Sequence, residues 1–102
     1  MSIFPDSGAS ICVGGTDHLQ KVNITKSELR PSNKSIQAVG GSKLNCHGWI
    51  PVEFSVQGHT TLQALYICDD VDRIYFSKAA CMDVTILPST FPYPMVDISK
   101  QK

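Results

Sequence analysis

The segment Trp49-Ile50-Pro51-Val52-Glu53-Phe54-Ser55-Val56 constrains the fold more than any other stretch of the chain. Ile50, Val52, Phe54 and Val56 alternate with Trp49, Pro51, Glu53 and Ser55. Successive side chains of a strand point to opposite faces, so this is a strand with one buried face. Gln57-Gly58-His59 turns it into a second strand running from Thr61 to Cys68. Gly48 interrupts the approach from the other side and marks a bulge. Pro51 offers no N–H to a ladder, so it should face an edge or a bulge. Elsewhere, short apolar runs are separated by Gly, Pro, Asn and Asp, with a period nearer two than 3.6, which predicts an all-β domain.

Ile11-Cys12-Val13 is a short strand that ends at Gly14-Gly15. Thr16-Asp17-His18-Leu19-Gln20 reads as one irregular turn with Leu19 pointing inward and His18 at the surface. Val22-Asn23-Ile24 stands alone before a polar stretch that runs to Asn33. Ser35 to Val39 forms a strand that meets Gly40-Gly41, after which Lys43-Leu44-Asn45-Cys46 returns antiparallel. Consecutive glycines permit positive φ in a tight turn, so they mark a hairpin tip. Asp69-Asp70-Val71-Asp72 lacks the spaced ligands, central glycine and terminal glutamate of a calcium loop and reads as a solvated turn. Ile74-Tyr75-Phe76 is a strand leading into Ser77, which caps a single helix through Lys78 to Val84. Prolines 88, 92 and 94 forbid regular structure, and the polar end Ser99-Lys100-Gln101-Lys102 should fray. The expected organisation is one domain over residues 1–88 and a Pro-rich, poorly ordered tail over 89–102.

A length of 102 residues suits one small domain. Nine basic and nine acidic residues cancel, which excludes a nucleic-acid or membrane-surface binder acting by bulk charge. The densest basic stretch, Lys21, Lys26, Arg30, Lys34 and Lys43, is interrupted by Glu28 and reads as a solvated face. No apolar stretch is long enough to span a bilayer, and a soluble chain is expected. The four cysteines, Cys12, Cys46, Cys68 and Cys81, follow no secretory leader. They are expected as buried or half-buried thiols in a reducing compartment. Adjacent Cys46-His47 project poorly onto one ion and no Cys-x-x-Cys pair exists, so neither a metal nor another cofactor is expected.

Asp6-Ser7-Gly8-Ala9-Ser10 occurs once. A carboxylate, a neighbouring hydroxyl and a glycine in one tight turn are the parts from which half of an aspartic-protease site is built, although the same residue types also favour ordinary turns. The order of parts is more specific: this turn, a glycine-tipped hairpin near mid-chain, and an apolar run feeding one late helix. In that order, and in Phe4-Pro5-Asp6-Ser7-Gly8-Ala9-Ser10, Ala38-Val39-Gly40-Gly41-Ser42-Lys43-Leu44 and Ile74-Tyr75-Phe76-Ser77-Lys78-Ala79-Ala80-Cys81-Met82-Asp83-Val84, the chain resembles the retroviral-type aspartic proteases, the retropepsins. It is most like those of invertebrate retrotransposon polyproteins. The resemblance runs from about Phe4 to Leu87.

That resemblance implies a closed β-barrel with a glycine-tipped flap hairpin and one short C-terminal helix. It implies an aspartic endopeptidase that cuts a polyprotein, built as a homodimer because each copy supplies one catalytic residue, Asp6. Ser7 would bond across the dimer axis, Gly8 would hydrogen-bond the aspartate, and Ala9 and Ser10 would line the cleft floor. Val39, Gly40, Gly41 and Ser42 would form the flap, whose backbone pairs with an extended peptide as an added strand. Tyr75 and Phe76 would support the catalytic loop from below, and Trp49 is read as a packing residue. Pro5 and Ser77 stand where many relatives carry an apolar residue with a free N–H and a glycine. The implied partners are a second copy and an extended peptide, with no direct nucleic-acid or membrane contact. The implied location is cytoplasmic, including within retroelement particles. A second reading of the same residues is a catalytically inactive module, truncated or domesticated, that dimerises or binds peptide without cutting it. The two differ in whether peptide is cleaved.

Overall fold

The alternating segment lies within an eleven-residue strand, Cys46–Val56. The computed structural model describes residues 3–5, 10–32, 36, 43–84 and 97–100. In chain order these give β1 (Phe4–Pro5), β2 (Cys12–Gly15), α1 (Thr16–Lys21), a 3-10 turn (Lys26–Glu28), β3 (Cys46–Val56), β4 (His59–Cys68), β5 (Tyr75–Phe76), α2 (Lys78–Asp83) and β6 (Asp97–Lys100). The strands make one mixed sheet in the order β1-β5-β2-β4-β3-β6. The β1–β5 and β2–β4 pairs are parallel and the other three are antiparallel. The class is therefore mostly β, as the period predicts, but among the described residues the sheet is open and no pairing closes it into a barrel.

Both faces of the sheet are covered. Ile50, Val52, Phe54 and Val56 of β3 join Leu65 and Ile67 of β4, Cys12 of β2, Phe76 of β5, and Ala80 and Cys81 of α2 in the main core. At its centre the rings of Phe54 and Phe76 meet edge to face, 4.8 Å apart, the arrangement their quadrupoles prefer. The opposite face carries a smaller cluster of Val13, Ile36, Tyr66 and Cys68, with Cys46 and Trp49 packed against it. α2 is tied to β4 by the Thr61 hydroxyl, which donates to the Asp83 carboxylate at 2.7 Å.

The bulge expected at Gly48 is present. Gly48 pairs with Ile67 and Cys46 with Cys68, so His47 is the extra residue. Gly48 has φ of 142°, and a Cβ there would lie 2.4 Å from the Arg30 carbonyl oxygen. Arg30 comes this close because it exchanges both backbone hydrogen bonds with Trp49, at 2.8 and 3.0 Å, and lays its guanidinium 5.0 Å from the indole centroid. Pro51 is not on an edge strand, since β3 lies between β4 and β6. Backbone direction alternates along a strand, so position 51 faces the same way as Trp49, away from β4. It falls between the Arg30 bridge and the β6 ladder that begins at Val52.

Other expectations are corrected. Residues 16–20 are not an irregular turn but most of α1, and a second helix therefore accompanies the expected one. Leu19 is buried as expected, but His18 is buried too, 7% exposed. Its Nδ1 accepts the Gly15 N–H at 2.8 Å, doing at the third helical position what Glu or Gln does in a capping box. The polar end does not fray throughout, because Asp97–Lys100 pairs antiparallel with Val52 to Ser55 and Ile98 packs on the main core. Prolines 88, 92 and 94 lie outside the described residues.

Replacing Gly48 with alanine adds a Cβ against rigid backbone at positive φ. It is expected to cost about 1–3 kcal/mol, measured as a lower urea midpoint with unchanged slope. His18 makes a second prediction. Burial, assisted by Lys21, holds its pKa below the ordinary value of 6.5. A base whose pKa is lower folded than unfolded contributes fully above the unfolded value and loses that contribution as pH falls through the folded one. His18→Gln keeps an acceptor for Gly15 and should flatten the fall in stability between about pH 7 and pH 5, followed by chemical denaturation at each pH.

Candidate functional site

Of the residues expected at a site, Asp6, Ser7, Gly8 and Ala9 lie outside the described residues, and so do Val39, Gly40, Gly41 and Ser42. Ser10 is described and is an exposed bend residue ahead of β2. What can be built from the structure is the frame that holds each segment at its ends.

The frame around residues 6–9 is set by β5. Phe4 and Pro5 pair in parallel with Tyr75 and Phe76, and the Phe4 N–H donates to the Ile74 carbonyl at 2.7 Å. Ile3 is fully buried in the main core. Phe4 lies 6.1 Å from the Tyr75 ring, and the Arg73 guanidinium sits 4.4 Å from the Phe4 centroid. β1 is a terminal strand of the described sheet, which is where a proline such as Pro5 is tolerated in a ladder. On the other flank of β5, Val13 pairs antiparallel with Tyr75. β1 and β2 thus lie on opposite flanks of β5, and Pro5 and Cys12 both stand near its end, where Ser77 begins α2.

Ser77 makes that end a buried polar junction. Its hydroxyl oxygen accepts the Ala80 N–H at 3.2 Å and so caps α2, as its position after an apolar strand predicts. Its own N–H donates to Cys12 Sγ at 3.4 Å, and the Cys12 thiol donates to its Oγ at 3.6 Å. Burial pushes the Cys12 thiol above its ordinary range, against the lowering effect of its bonds with Ser77, so it remains a neutral donor. Both Ser77 and Cys12 are almost wholly buried, where an unmet polar group would cost about 1–3 kcal/mol. The larger side chain at position 77, compared with glycine, is thus matched by a partner on β2.

Among the described residues, Ile36 and Leu44 frame residues 37–42. The Leu44 N–H donates to the Ile36 carbonyl at 2.8 Å, and Ile36 is buried in the smaller cluster. Positions 36 and 44 are equidistant from Gly40. Beside it, Asp69 accepts from His47 Nε2 at 2.7 Å and from the Asn45 amide at 2.8 Å, and its N–H donates to the Asn45 carbonyl at 2.9 Å. These bonds, that of His47 first, hold its carboxyl below the ordinary value of 3.8. The acidic turn is thus solvated only in part. Asp70, with φ of 60°, and Asp72 are exposed, whereas Asp69 fastens the end of β4 to the bulge. The sequence held no signal for this pair, because the bulge brings together residues 22 apart in sequence.

All four cysteines are thiols, three buried and Cys46 half-buried. Among the described residues, no group of three or more His, Cys, Asp or Glu side chains could hold a metal ion. No helix among them is long and apolar enough to cross a membrane. Comparison with protein-family models, curated proteins and solved structures finds no match.

Ser77→Ala removes the cap of α2 and the acceptor of the Cys12 thiol. A loss of about 1–2 kcal/mol is expected, read from denaturant unfolding, with Ser77→Thr recovering part of it.

Proposed function

We propose that this chain is an aspartic endopeptidase of the retroviral type, which hydrolyses peptide bonds of a polyprotein through a site shared by two copies. The observation that carries the reading is the placement of the strands on either side of Asp6-Ser7-Gly8 in sequence: β1 and β2 lie on opposite flanks of β5, with the Cys12–Ser77 contact at the end of β5. Flanking strands fixed to one sheet are what a preorganised catalytic carboxylate would need. Closure of the sheet into a barrel, with Gly40-Gly41 as the tip of a flap, belongs to the same proposal. The Ile36–Leu44 bond supports it, since those two residues are equidistant in sequence from Gly40.

One carboxylate per copy is chemically sufficient only if two copies meet. Two aspartates held close cannot both ionise cheaply, so they share one proton and titrate as a coupled pair. The ionised Asp6 takes a proton from a water lying between them as that water's oxygen attacks the scissile carbonyl carbon. The protonated Asp6 of the second copy polarises the carbonyl oxygen and passes its proton to it. Return of a proton to the peptide nitrogen lets the C–N bond break, leaving an acid and an amine and restoring the shared proton. Ser7 would steady the two loops by a hydrogen bond across the axis. Gly8 would bond the carboxylate, Ala9 and Ser10 would floor the cleft, and Val39, Gly40, Gly41 and Ser42 would close over the peptide and exclude water.

The purified chain is expected to cleave an apolar-rich peptide at acidic to mildly acidic pH, with Asp6→Asn reducing turnover to background. Equal turnover by the two proteins would sink the proposal. Sedimentation should show a dimer at the concentration where activity appears. The inactive-module reading predicts a dimer or a bound peptide with no turnover in either protein. Because His18 loses its stabilising contribution in the same acidic range, the folded fraction is measured beside each rate.

A further inference from the structure

We propose that Cys46 and Cys68 form a reversible oxidation site, in which a hydroperoxide converts the pair of thiols to a disulfide across the base of the β3–β4 hairpin. The proposal stands on strand geometry and is independent of proteolysis. Cys46 and Cys68 are direct cross-strand partners. Without the bulge, position 46 would share the parity of Ile50 and Val52 and enter the main core. With His47 as the extra residue, Cys46 falls instead on the face of Trp49 and Tyr66, against Cys68.

The pairing type also fits. The Asp69 N–H donates to the Asn45 carbonyl, which marks 45 and 69 as a hydrogen-bonded pair. In an antiparallel ladder the next pair, 46 with 68, is then of the non-hydrogen-bonded kind, whose Cα atoms lie about 4.5 Å apart with the side chains at their closest. That separation is inside the range a disulfide spans, about 4.4–6.8 Å. The other two cysteines are placed otherwise. Cys12 and Cys81 belong to the main core on the opposite face, engaged with Ser77 and with the Phe76 carbonyl.

Access separates the roles of the two sulfurs. Cys46 is half-buried, with its thiol donating to the Gly48 carbonyl at 3.7 Å, whereas Cys68 is fully buried. A hydroperoxide meets Cys46 first. The thiolate sulfur attacks the nearer peroxide oxygen, the O–O bond breaks, and the leaving oxygen takes up a proton, giving a Cys46 sulfenic acid. Cys68 then gives up its proton and attacks that sulfur, the S–S bond forms, and hydroxide departs as water with that proton. With hydrogen peroxide the sum is two thiols and one peroxide going to one disulfide and two waters. Burial, and then Cys46 beside it, push the Cys68 thiol up to about 12. The second step is therefore slow at neutral pH and quickens as pH rises.

The test treats the reduced, folded chain with hydrogen peroxide, blocks remaining thiols with iodoacetamide under denaturing conditions, and maps the unreduced peptides by mass spectrometry. The expected product is a peptide pair joined through Cys46 and Cys68, abolished by dithiothreitol, with Cys12 and Cys81 alkylated. In Cys68→Ala, dimedone should trap a Cys46 sulfenic acid. The proposal is overturned if the wild-type chain carries Cys46 to sulfinic acid while Cys68 stays alkylatable, if Cys46 links to another cysteine or another chain, or if all four thiols survive excess peroxide. The wild-type map decides the matter even if the variant fails to fold.

Discussion

Register between β3 and β4 determines which side chain reaches which face, and most of the molecule is assembled on the result. Along Trp49 to Val56 the parity is fixed by burial of Ile50, Val52, Phe54 and Val56. A slip of one residue would exchange that set for Trp49, Pro51, Glu53 and Ser55 and place a carboxylate in the core. At the other end of the ladder the parity is reset once, at Gly48, where only a residue without a Cβ lets the Arg30 backbone approach. One face then receives α2, beside the side chains of Cys12 and Phe76, and the other receives Ile36 against Tyr66.

The short strands depend on that platform rather than on themselves. A two-residue strand such as β1 or β5 has little stability of its own. Each persists because Ile3 and Phe76 are wholly buried beside Phe54 and Leu65. β5 is flanked on both sides, by β1 and by β2, and both flanking strands are held by the core, β2 also by the Cys12–Ser77 contact. Ile3, Cys12 and Val13, on either side of Asp6 in sequence, are thus placed by burial rather than by local propensity.

How much of this could be read from the chain varied with the range of the interaction responsible. The alternation of β3, the bulge at Gly48, the turn at Gln57-Gly58 and the cap at Ser77 all depend on neighbours within a few residues, and each is found where the sequence placed it. α1 escaped because its cap is unusual. Gly15 has no side chain to offer, and the signal sits on His18, whose ring serves where Glu or Gln is customary. Gly14-Gly15 looked like the end of a strand, yet β2 continues through both, since Gly15 passes so close to the Val71 carbonyl that a Cβ would lie 1.7 Å from it. β6 escaped for a different reason. Asp97-Ile98-Ser99-Lys100 has one apolar residue, and it becomes a strand only because β3 offers an unfilled edge. Of the frame, Tyr75-Phe76 was legible as a strand and Ser77 as a cap, whereas the Cys12–Ser77 and His47–Asp69 contacts join positions too far apart in sequence for any local pattern to announce them.

Pro51 carries one more consequence. A long strand with unpaired backbone donors invites a foreign strand to add to it, which is how sheets aggregate. On the side of β3 that faces away from β4, the described partners are the Arg30 bridge and β6, and the position between them is the one that cannot donate. An intruding chain would find its ladder interrupted there, at the middle of the longest strand. Pro51 therefore breaks the run of backbone donors on that side of β3, between its described partners Arg30 and β6.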